Sequence, residues 1–261
     1  IIEIGAGSGS LMAAVRQTLG WWQRRRFQWH IVETSPVLQQ RQRELLGTGI
    51  TWHQDLKAAL EGCNGESFIY HNELLDAFPA TLLQWHEDIW HEVHITPQGR
   101  ELWKPLDWDE STRAPFQALQ VWPNKQARQR IELHATVRDW LQHWGPAWKD
   151  GAMLTVDYGD TFPALYHRRP AGSLRAYLHQ QRLEGVDVYL NPGRQDITVD
   201  VNFSDYRAWA TEQGWQEIGY GTQEDFIRSQ VKKLPNDAKT EFLLHPDGAG
   251  SAFKHVIHRV G

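Results

Sequence analysis

The chain begins with Ile1-Ile2-Glu3-Ile4-Gly5-Ala6-Gly7-Ser8-Gly9, an apolar run that ends in three alternating glycines. A short β-branched run of this kind, followed by Ser10-Leu11-Met12-Ala13-Ala14-Val15, predicts a buried parallel strand, a tight turn and the N-terminus of a helix. Glycine suits such a turn because it adopts unusual backbone angles and lets a ligand approach the backbone amides. The stretch predicts either a nucleotide- or nucleoside-binding cradle or a plain strand-to-helix turn.

The spacing of the glycines helps to choose the ligand. A dinucleotide-binding fingerprint has glycine or alanine at the position of Ser10. This chain has its third glycine at Gly9 and an acidic residue, Glu3, two positions before Gly5. That pattern is typical of S-adenosylmethionine-dependent methyltransferases. A nicotinamide-dependent oxidoreductase stays an alternative, against which Ser10 argues, and a nicotinamide titration would decide between the two.

The composition is that of an ordinary globular protein. Of the 261 residues, 41% are hydrophobic and 23% are charged, and the net charge is −5. This charge gives no support for nucleic-acid binding. No apolar run approaches the roughly 20 residues that span a bilayer, and we see no signal peptide ahead of the first strand. The single cysteine, Cys63, excludes an internal disulfide and favours a reducing compartment.

Glu33 is the first candidate outside the glycine turn. Residues 27–32 read as a second strand, and Glu33 stands at its tip. A carboxylate there, after a glycine turn, can accept hydrogen bonds from both hydroxyls of a ribose. The alternative is a helix-capping or solvent-facing role before Ser35 and Pro36, which predict the start of a helix over residues 36–46 that stops at Gly47. Both roles can hold together.

Asp55 is a second candidate of the same kind. It follows a short third strand over residues 50–53. A polar residue after the third strand often meets the amino group of an adenine in this architecture. Asp55 could equally cap a helix that begins at Leu56.

Polar residues cluster after the fourth strand, which we predict over residues 67–71. Asn72, Glu73 and Asp76 follow within five residues, at the carboxyl end of a central strand where ligands bind in open α/β sheets. If the segment continues as a helical turn, Glu73 and Asp76 share a face and favour a cationic ligand such as an amine or guanidinium. The alternative is that Asn72 caps a short helix and the acids complement its dipole.

The remaining chain predicts alternating helices and strands. We expect a loop over residues 21–26, a hairpin or meander over 81–103, a helix over 126–143 and a fifth strand over 151–156. A sixth strand is expected over 215–220 and a final strand over 251–259.

His86, His91 and His94 suggest a metal site, but His91 and His94 would face opposite sides of a strand, so we expect no metal.

Five segments together resemble a known family, the MidA-type S-adenosylmethionine-dependent methyltransferases. They are Glu3-Ile4-Gly5-Ala6-Gly7-Ser8-Gly9, Asn72-Glu73-Leu74-Leu75-Asp76-Ala77-Phe78-Pro79, Val156-Asp157-Tyr158-Gly159, Gly172-Ser173-Leu174-Arg175-Ala176-Tyr177 and Asn191-Pro192-Gly193-Arg194-Gln195-Asp196-Ile197-Thr198. The resemblance implies a Rossmann-like α/β class I methyltransferase fold. Its mostly parallel seven-stranded sheet would have helices on both faces, within one domain over 1–261, and β-rich insertions at about 81–105 and 160–202.

The resemblance also implies a function. Mitochondrial members of the family act as arginine methyltransferases in the assembly of respiratory complex I, so a protein substrate is expected, without membrane insertion. S-Adenosyl-L-methionine would be held by Gly5, Gly7, Gly9 and Glu33, with Glu3 and Asp55 as further contacts. Glu73, with Asn72 and Asp76, would sit where the methyl acceptor enters. A bacterial member would be cytoplasmic, and a eukaryotic member would lie in the mitochondrial matrix.

The front of the chain departs from the family. Members carry roughly 80 residues before the glycine motif, including a segment that helps to cover the cofactor, and we expect the chain to lack that segment. A non-catalytic assembly factor or scaffold on the same fold is therefore the alternative function. A co-purifying partner without a methylated product would favour it.

Overall fold

The structure is a computed structural model that describes residues 1–120, 122, 125–246 and 248–261. Its contacts group the chain into two compact units. Unit 1 comprises Ile1–Leu74, Leu141–Val156 and Ala210–Gly261, and unit 2 comprises Leu75–Trp140 and Asp157–Trp209. The single methyltransferase domain expected over 1–261 stays a prediction.

The strands of the described residues are between two and eleven residues long. In chain order they are β1 (Ile2–Ile4), β2 (His30–Val32), β3 (Thr51–His53), β4 (Glu66–Asn72), β5 (Thr81–His86), β6 (Ile89–Ile95), β7 (Glu101–Pro105), β8 (Arg130–Leu133), β9 (Asp150–Asp160), β10 (Arg175–Leu178), β11 (Gln181–Leu183), β12 (Asp196–Thr198), β13 (Val201–Asn202), β14 (Gln216–Thr222) and β15 (Phe253–Val260).

Each helix lies between two of these strands along the chain. They are α1 (Ser10–Thr18), α2 (Trp21–Arg24), α3 (Pro36–Leu46), α4 (Leu56–Gly62), α5 (Glu110–Arg113), α6 (Ala135–Trp144), α7 (Phe203–Glu212), α8 (Gln223–Gln230), α9 (Ala238–Leu244) and α10 (Ala249–Ala252). Among the described residues, no helix combines the length and the apolar character that a membrane span requires.

The central sheet of unit 1 has the strand order β14-β15-β9-β4-β1-β2-β3. Strands β9, β4, β1, β2 and β3 are parallel, and β15 runs antiparallel to β14. In the parallel register, Ile4 lies beside both Val32 and His71. This topology confirms the predicted Rossmann-like α/β fold. It also brings the carboxyl ends of β2, β1 and β4 to one edge of the sheet.

Local signals set both ends of α3 as predicted. The Ser35 hydroxyl accepts a hydrogen bond from the Leu38 backbone N–H over 3.4 Å, and Pro36 occupies the first turn. Gly47 ends the helix with a left-handed φ of 67°, and its N–H donates to the Arg43 carbonyl over 3.0 Å. Serine, proline and glycine are favoured at these positions because each suits the unpaired backbone groups of a helix end.

Two predicted elements were wrong. Residues 21–26 are not all loop, because Trp21–Arg24 form α2. The helix predicted over 126–143 begins only at Ala135, since Arg130–Leu133 form strand β8, which pairs antiparallel with β5. This pairing partner lies more than 40 residues earlier in the chain, so the local pattern around β8 carried no sign of it.

Unit 2 is built around two antiparallel sheets. One has the order β7-β6-β5-β8 and the other the order β11-β10-β12. The hairpin and meander predicted over 81–103 correspond to β5, β6 and β7. The last two residues of β9, Gly159 and Asp160, continue into this unit and pair in parallel with β13.

Candidate functional site

The glycine turn joins β1 to α1 in unit 1. Gly5, Gly7 and Gly9 all have left-handed φ values, of 63°, 51° and 81°. A Cβ on Gly9 would lie 3.2 Å from Leu46 Cδ1, whereas a Cβ on Gly7 would meet nothing within 4 Å. Gly9 is the N-cap of α1 and offers no side chain to the first-turn amides. Gly7 therefore presents bare backbone to open space close to the N-terminus of α1, as expected for a binding cradle.

Glu33 stands directly beside this turn at the end of β2. Its side chain is 7% exposed. One carboxylate oxygen, Oε1, accepts from the Ser35 N–H over 2.9 Å, and the other, Oε2, accepts from Gln42 Nε2 over 3.2 Å. The Ser35 bond is the structural role that the sequence allowed. Each oxygen keeps a further lone pair, so the carboxylate can accept additional hydrogen bonds.

Gln42 is a site residue that the sequence reasoning missed. It is fully buried on α3, and its Nε2 also donates to the Gly7 carbonyl over 2.9 Å. Its Oε1 accepts from the Trp52 indole N–H over 2.9 Å. A signal was present, because Gln42 lies midway between Leu38 and Leu46 at helical spacing, where an apolar residue is expected. A polar residue on that stripe indicates a buried hydrogen-bonding task.

Glu3 is turned away from solvent beneath α1. It is 3% exposed, and its carboxylate accepts from the Tyr70 hydroxyl over 3.1 Å and from the Met12 backbone N–H. Burial raises the pKa of Glu3 from 4.5 to about 7, against the opposing effect of these two hydrogen bonds. The carboxylate thus supports the first turn of α1, and its contact with a cofactor stays a prediction.

Asp55 adopts the helix-capping role that the sequence allowed. Its Oδ1 accepts from the Ala58 N–H over 2.9 Å at the N-cap of α4. Serving as a cap does not use the second carboxylate oxygen. The contact with an adenine amino group stays a prediction.

Strand β4 ends at Asn72, and Glu73 follows it directly. Glu73 has a left-handed φ of 50°, its N–H donates to the Val156 carbonyl over 3.0 Å, and both side chains are exposed. The Asn72 side-chain amide donates to Glu73 Oε1 over 3.0 Å. Asn72 therefore holds the neighbouring carboxylate and does not cap a helix. A left-handed glutamate costs of order 1 kcal/mol or more, and such residues cluster at functional sites.

Glu73 and Asp76 do not share a helical face, because the helical turn that the sequence suggested is shorter than expected. It is a 3₁₀ turn over Leu75–Ala77, and Glu73 lies outside it. In unit 2, the buried Asp157 carboxylate accepts from the Leu75 N–H over 2.8 Å and from the Asp76 N–H over 3.4 Å. Asp157 therefore caps this turn. The sequence reasoning gave Asp157 no role because the two segments are about 80 residues apart.

Two of the three meander histidines lie beside acidic side chains. His86 lies 3.5 Å from Glu87, and His94 lies 3.6 Å from Glu92. No group of three or more His, Cys, Asp or Glu side chains that could hold a metal ion occurs in the described part of the chain.

Three of the predicted residues meet at one edge of the unit 1 sheet. Gly5 follows Ile4, Glu33 follows Val32 and Asn72 follows His71, and these preceding residues are neighbours in the sheet register. Neighbouring strands lie about 4.8 Å apart, so the backbones of Glu33 and Asn72 flank the glycine turn at about 10 Å from each other. An extended ligand can therefore contact Glu33, the turn and the Asn72–Glu73 pair together.

A parallel sheet with a glycine turn and acidic strand ends at its carboxyl edge defines the Rossmann-like class of proteins. A Burkholderia thailandensis protein crystallised with S-adenosyl-homocysteine has this fold. It superposes with a TM-score of 0.81 at 23% identity, covering 99% of this chain and 70% of that one. A second Burkholderia thailandensis structure gives a TM-score of 0.79, also at 23% identity. These likenesses establish the fold.

Residues 1–221 match the family described as "Putative S-adenosyl-L-methionine-dependent methyltransferase", and the chain belongs to this family. This confirms the predicted class of enzyme and its methyl donor, S-adenosyl-L-methionine, at the level of the family. The residues that hold the donor in this chain stay predictions.

Curated relatives resemble the chain at lower levels of identity. The Danio rerio mitochondrial protein arginine methyltransferase NDUFAF7 is 26% identical over an alignment of 299 positions, which covers 97% of this chain and 67% of that protein. The Xenopus laevis protein of the same name is 25% identical, covering 99% of this chain and 62% of its own length. This chain therefore spans about two thirds of the length of these relatives.

Proposed function

We propose that this chain binds S-adenosyl-L-methionine along the carboxyl edge of the unit 1 sheet and methylates an arginine nitrogen of a protein. The observation that carries the proposal is the common edge of Glu33, the glycine turn and Glu73 on three adjacent parallel strands. Ligands bind at this edge in open α/β sheets. The relatives named as protein arginine methyltransferases support the choice of acceptor.

The residues at the edge fit the methyl donor. The free lone pairs of Glu33 can accept hydrogen bonds from two ribose hydroxyls. The bare backbone at Gly7, where an added Cβ would meet nothing within 4 Å, leaves room for the donor to approach the turn, and Gly5 and Gly9 supply its left-handed backbone. Oδ2 of Asp55, which the helix cap does not use, can accept a hydrogen bond from the adenine amino group. Glu3 acts as a positioning residue that supports the first turn of α1.

Glu73 is the proposed acceptor-binding and proton-accepting residue. When bound, the donor supplies an electrophilic methyl group on a sulfonium sulfur. The Glu73 carboxylate binds the guanidinium through charge-assisted hydrogen bonds and takes up the proton that the nitrogen loses as the carbon–nitrogen bond forms. The Asn72 amide, 3.0 Å from Glu73 Oε1, keeps the carboxylate in one orientation.

The partner that this reaction requires is a protein substrate. The fish and frog relatives are named as mitochondrial proteins. We accordingly propose the mitochondrial matrix for a eukaryotic source and the cytoplasm for a bacterial one. A role in the assembly of a respiratory complex belongs to the same proposal.

Peptides that differ at one position test the acceptor. The chain is incubated with S-adenosyl-L-methionine and with peptides that carry a single arginine, lysine or citrulline, and both the release of S-adenosyl-homocysteine and the peptide mass are measured. We expect methylation of the arginine peptide alone. A methylated lysine peptide would contradict the choice of arginine. Donor binding without transfer to any peptide would favour the non-catalytic assembly factor.

A further inference from the structure

Unit 2 contains a cavity of about 340 Å³ that the proposed donor site does not use. Its wall is largely apolar and includes Phe78, Leu82, Val188 and Ile197. The Tyr189 hydroxyl, a polar group of the wall, already donates to Glu101 Oε1 over 3.1 Å. The volume lies at the low end of the range for ligand pockets, about 300–1,000 Å³, and suits a single side chain.

One carboxylate of this wall has an unused oxygen. Asp76 is 8% exposed, and its Oδ2 accepts from the Thr198 hydroxyl over 2.6 Å. We find no donor to Oδ1 within residues 1–120, 122, 125–246 and 248–261. A carboxylate oxygen without a protein donor can accept a hydrogen bond from a bound group.

The charges around Asp76 favour a cation. Asp196 and Asp200 act on it as like charges, and Arg175 acts as the opposite charge. Arg175 is already paired with Asp200 at 2.5 Å, and Arg169 pairs with the same carboxylate. Burial, first of all, raises the pKa of the Asp76 carboxyl, and Thr198 and Arg175 oppose the rise. With Asp76 itself included, three carboxylates face two guanidiniums, so the cluster carries a net negative charge when its carboxyls are ionised.

Three of the resemblance motifs converge on this cavity. Asp76 comes from the segment over residues 72–79, and Thr198 from the segment over 191–198. Strand β10 pairs Arg175 of the segment over 172–177 with Thr198 on β12. The proposed donor chemistry gives the segments over 172–177 and 191–198 no task. A ligand site in unit 2 would supply one.

We propose that the unit 2 cavity binds a cationic side chain with an aliphatic stem, such as that of arginine or lysine, with Asp76 as the anchor of its charged head. The apolar wall accommodates the stem, because such side chains bury their methylene groups and keep a charged tip for a polar partner. The binding itself rests on the cavity and on Asp76.

Alkyl cations test the cavity directly. The full chain is titrated with n-butylguanidinium, n-butylammonium and the neutral n-butylurea, while the backbone amide NMR signals of Val188 and Thr198 are followed. We expect both cations to shift these signals saturably. The affinity for the urea should be lower by a factor of about ten or more. Equal binding of the urea, or no saturable shift with either cation, would overturn the proposal.

Matched variants locate the interaction. Asp76→Asn should weaken n-butylguanidinium binding about tenfold, whereas Asp187→Asn, the same change at an exposed position before Val188, should not. Ala80→Leu, which makes the cavity smaller without changing its charge, should weaken the binding of all three probes. Unchanged binding in Asp76→Asn would overturn the role of this carboxylate, and folding of each variant is checked by its thermal transition.

Two binding measurements distinguish failure of the cavity proposal from failure of the proposed function. Glu73→Gln should leave the cation-induced shifts of Val188 and Thr198 unchanged, because it lies outside the cavity wall. Loss of donor binding with retained cation binding would contradict the methyltransferase proposal alone. Retained donor binding with no cation binding would contradict the cavity proposal alone.

Discussion

The side-chain nitrogen of Gln42 lies 2.9 Å from the carbonyl oxygen of Gly7, so that helix α3 holds the glycine turn directly. The same nitrogen reaches the Glu33 carboxylate at 3.2 Å, and the Trp52 indole donates to the other end of the amide. One fully buried side chain therefore fixes the turn relative to the carboxylate that we propose for the ribose.

Removal of this amide should affect both folding and donor binding. We expect Gln42→Ala to lower the free energy of unfolding by about 1–3 kcal/mol, because the Gly7 carbonyl and the Trp52 N–H lose a buried partner. Gln40→Ala, on the exposed side of α3, should change it by less than about 0.5 kcal/mol. Urea denaturation measures both. An equal effect of the two changes would contradict the role given to Gln42.

Glu73→Gln should separate binding from turnover. The amide keeps the size of the side chain but cannot take up a proton, so turnover should fall about 100-fold or more while donor affinity stays nearly unchanged. Glu66→Gln, at the opposite end of β4, is the matched control. Initial rates and calorimetric titrations provide the two readouts. Unchanged turnover in Glu73→Gln would remove it from the proposed mechanism.

Glu3 should make stability depend on pH. Its pKa is raised to about 7 in the folded chain, so ionising it costs the folded state free energy. The cost is absent below pH 4.5, grows as pH rises towards 7 and is complete above it, so stability falls with increasing pH over this window. A rise of this size corresponds to about 3 kcal/mol.

The variant Glu3→Gln isolates this contribution because it cannot ionise. Its free energy of unfolding relative to that of the unaltered chain should increase by about 3 kcal/mol between pH 4.5 and pH 8. Burial also raises the pKa of Asp205 to about 7, but Asp205 is present in both proteins and cancels from the difference. Glu44→Gln serves as an exposed control. A difference that does not vary with pH would show that Glu3 titrates normally.

Asp157 should be essential for unit 2. The change Asp157→Asn replaces one carboxylate oxygen with an NH₂ group. This group cannot accept a hydrogen bond, and it would face the backbone N–H donors of Leu75, Asp76 or Tyr158. We expect a loss of about 2–4 kcal/mol, measured by thermal and urea unfolding. Asp139→Asn, exposed in the same unit, should be close to neutral. Similar stability of the two variants would contradict the capping role.

Local chemistry explains which parts of the fold could be predicted. The glycine turn, the Ser35–Pro36 start of α3 and the Gly47 stop follow from backbone preferences of single residues, and each lies where the sequence indicates. The β8 strand was predicted as helix because its conformation depends on pairing with β5, about 45 residues away. Periodicity alone does not carry that information.

The candidate site also contains residues that the sequence predicts and residues that only the fold reveals. Glu33 and Asn72 were predictable as strand-end residues, because parallel strands bring their carboxyl ends to one edge. Two supporting residues were not predictable, because Gln42 bonds to Glu33 and Asp157 bonds to the backbone of Leu75 and Asp76 through contacts that only the folded chain creates. Asp76 was expected near Glu73 on one helical face, whereas its carboxylate is held by Thr198, 122 residues later.

The proposed donor site is tested most directly by a calorimetric titration of the 261-residue chain with S-adenosyl-L-methionine, repeated with Glu33→Ala and with Glu44→Ala as the exposed control. We expect saturable binding, weakened about ten- to 100-fold by Glu33→Ala through loss of the charged hydrogen bonds and unchanged by Glu44→Ala. Equal dissociation constants for Glu33→Ala and the unaltered chain would contradict the proposed donor site.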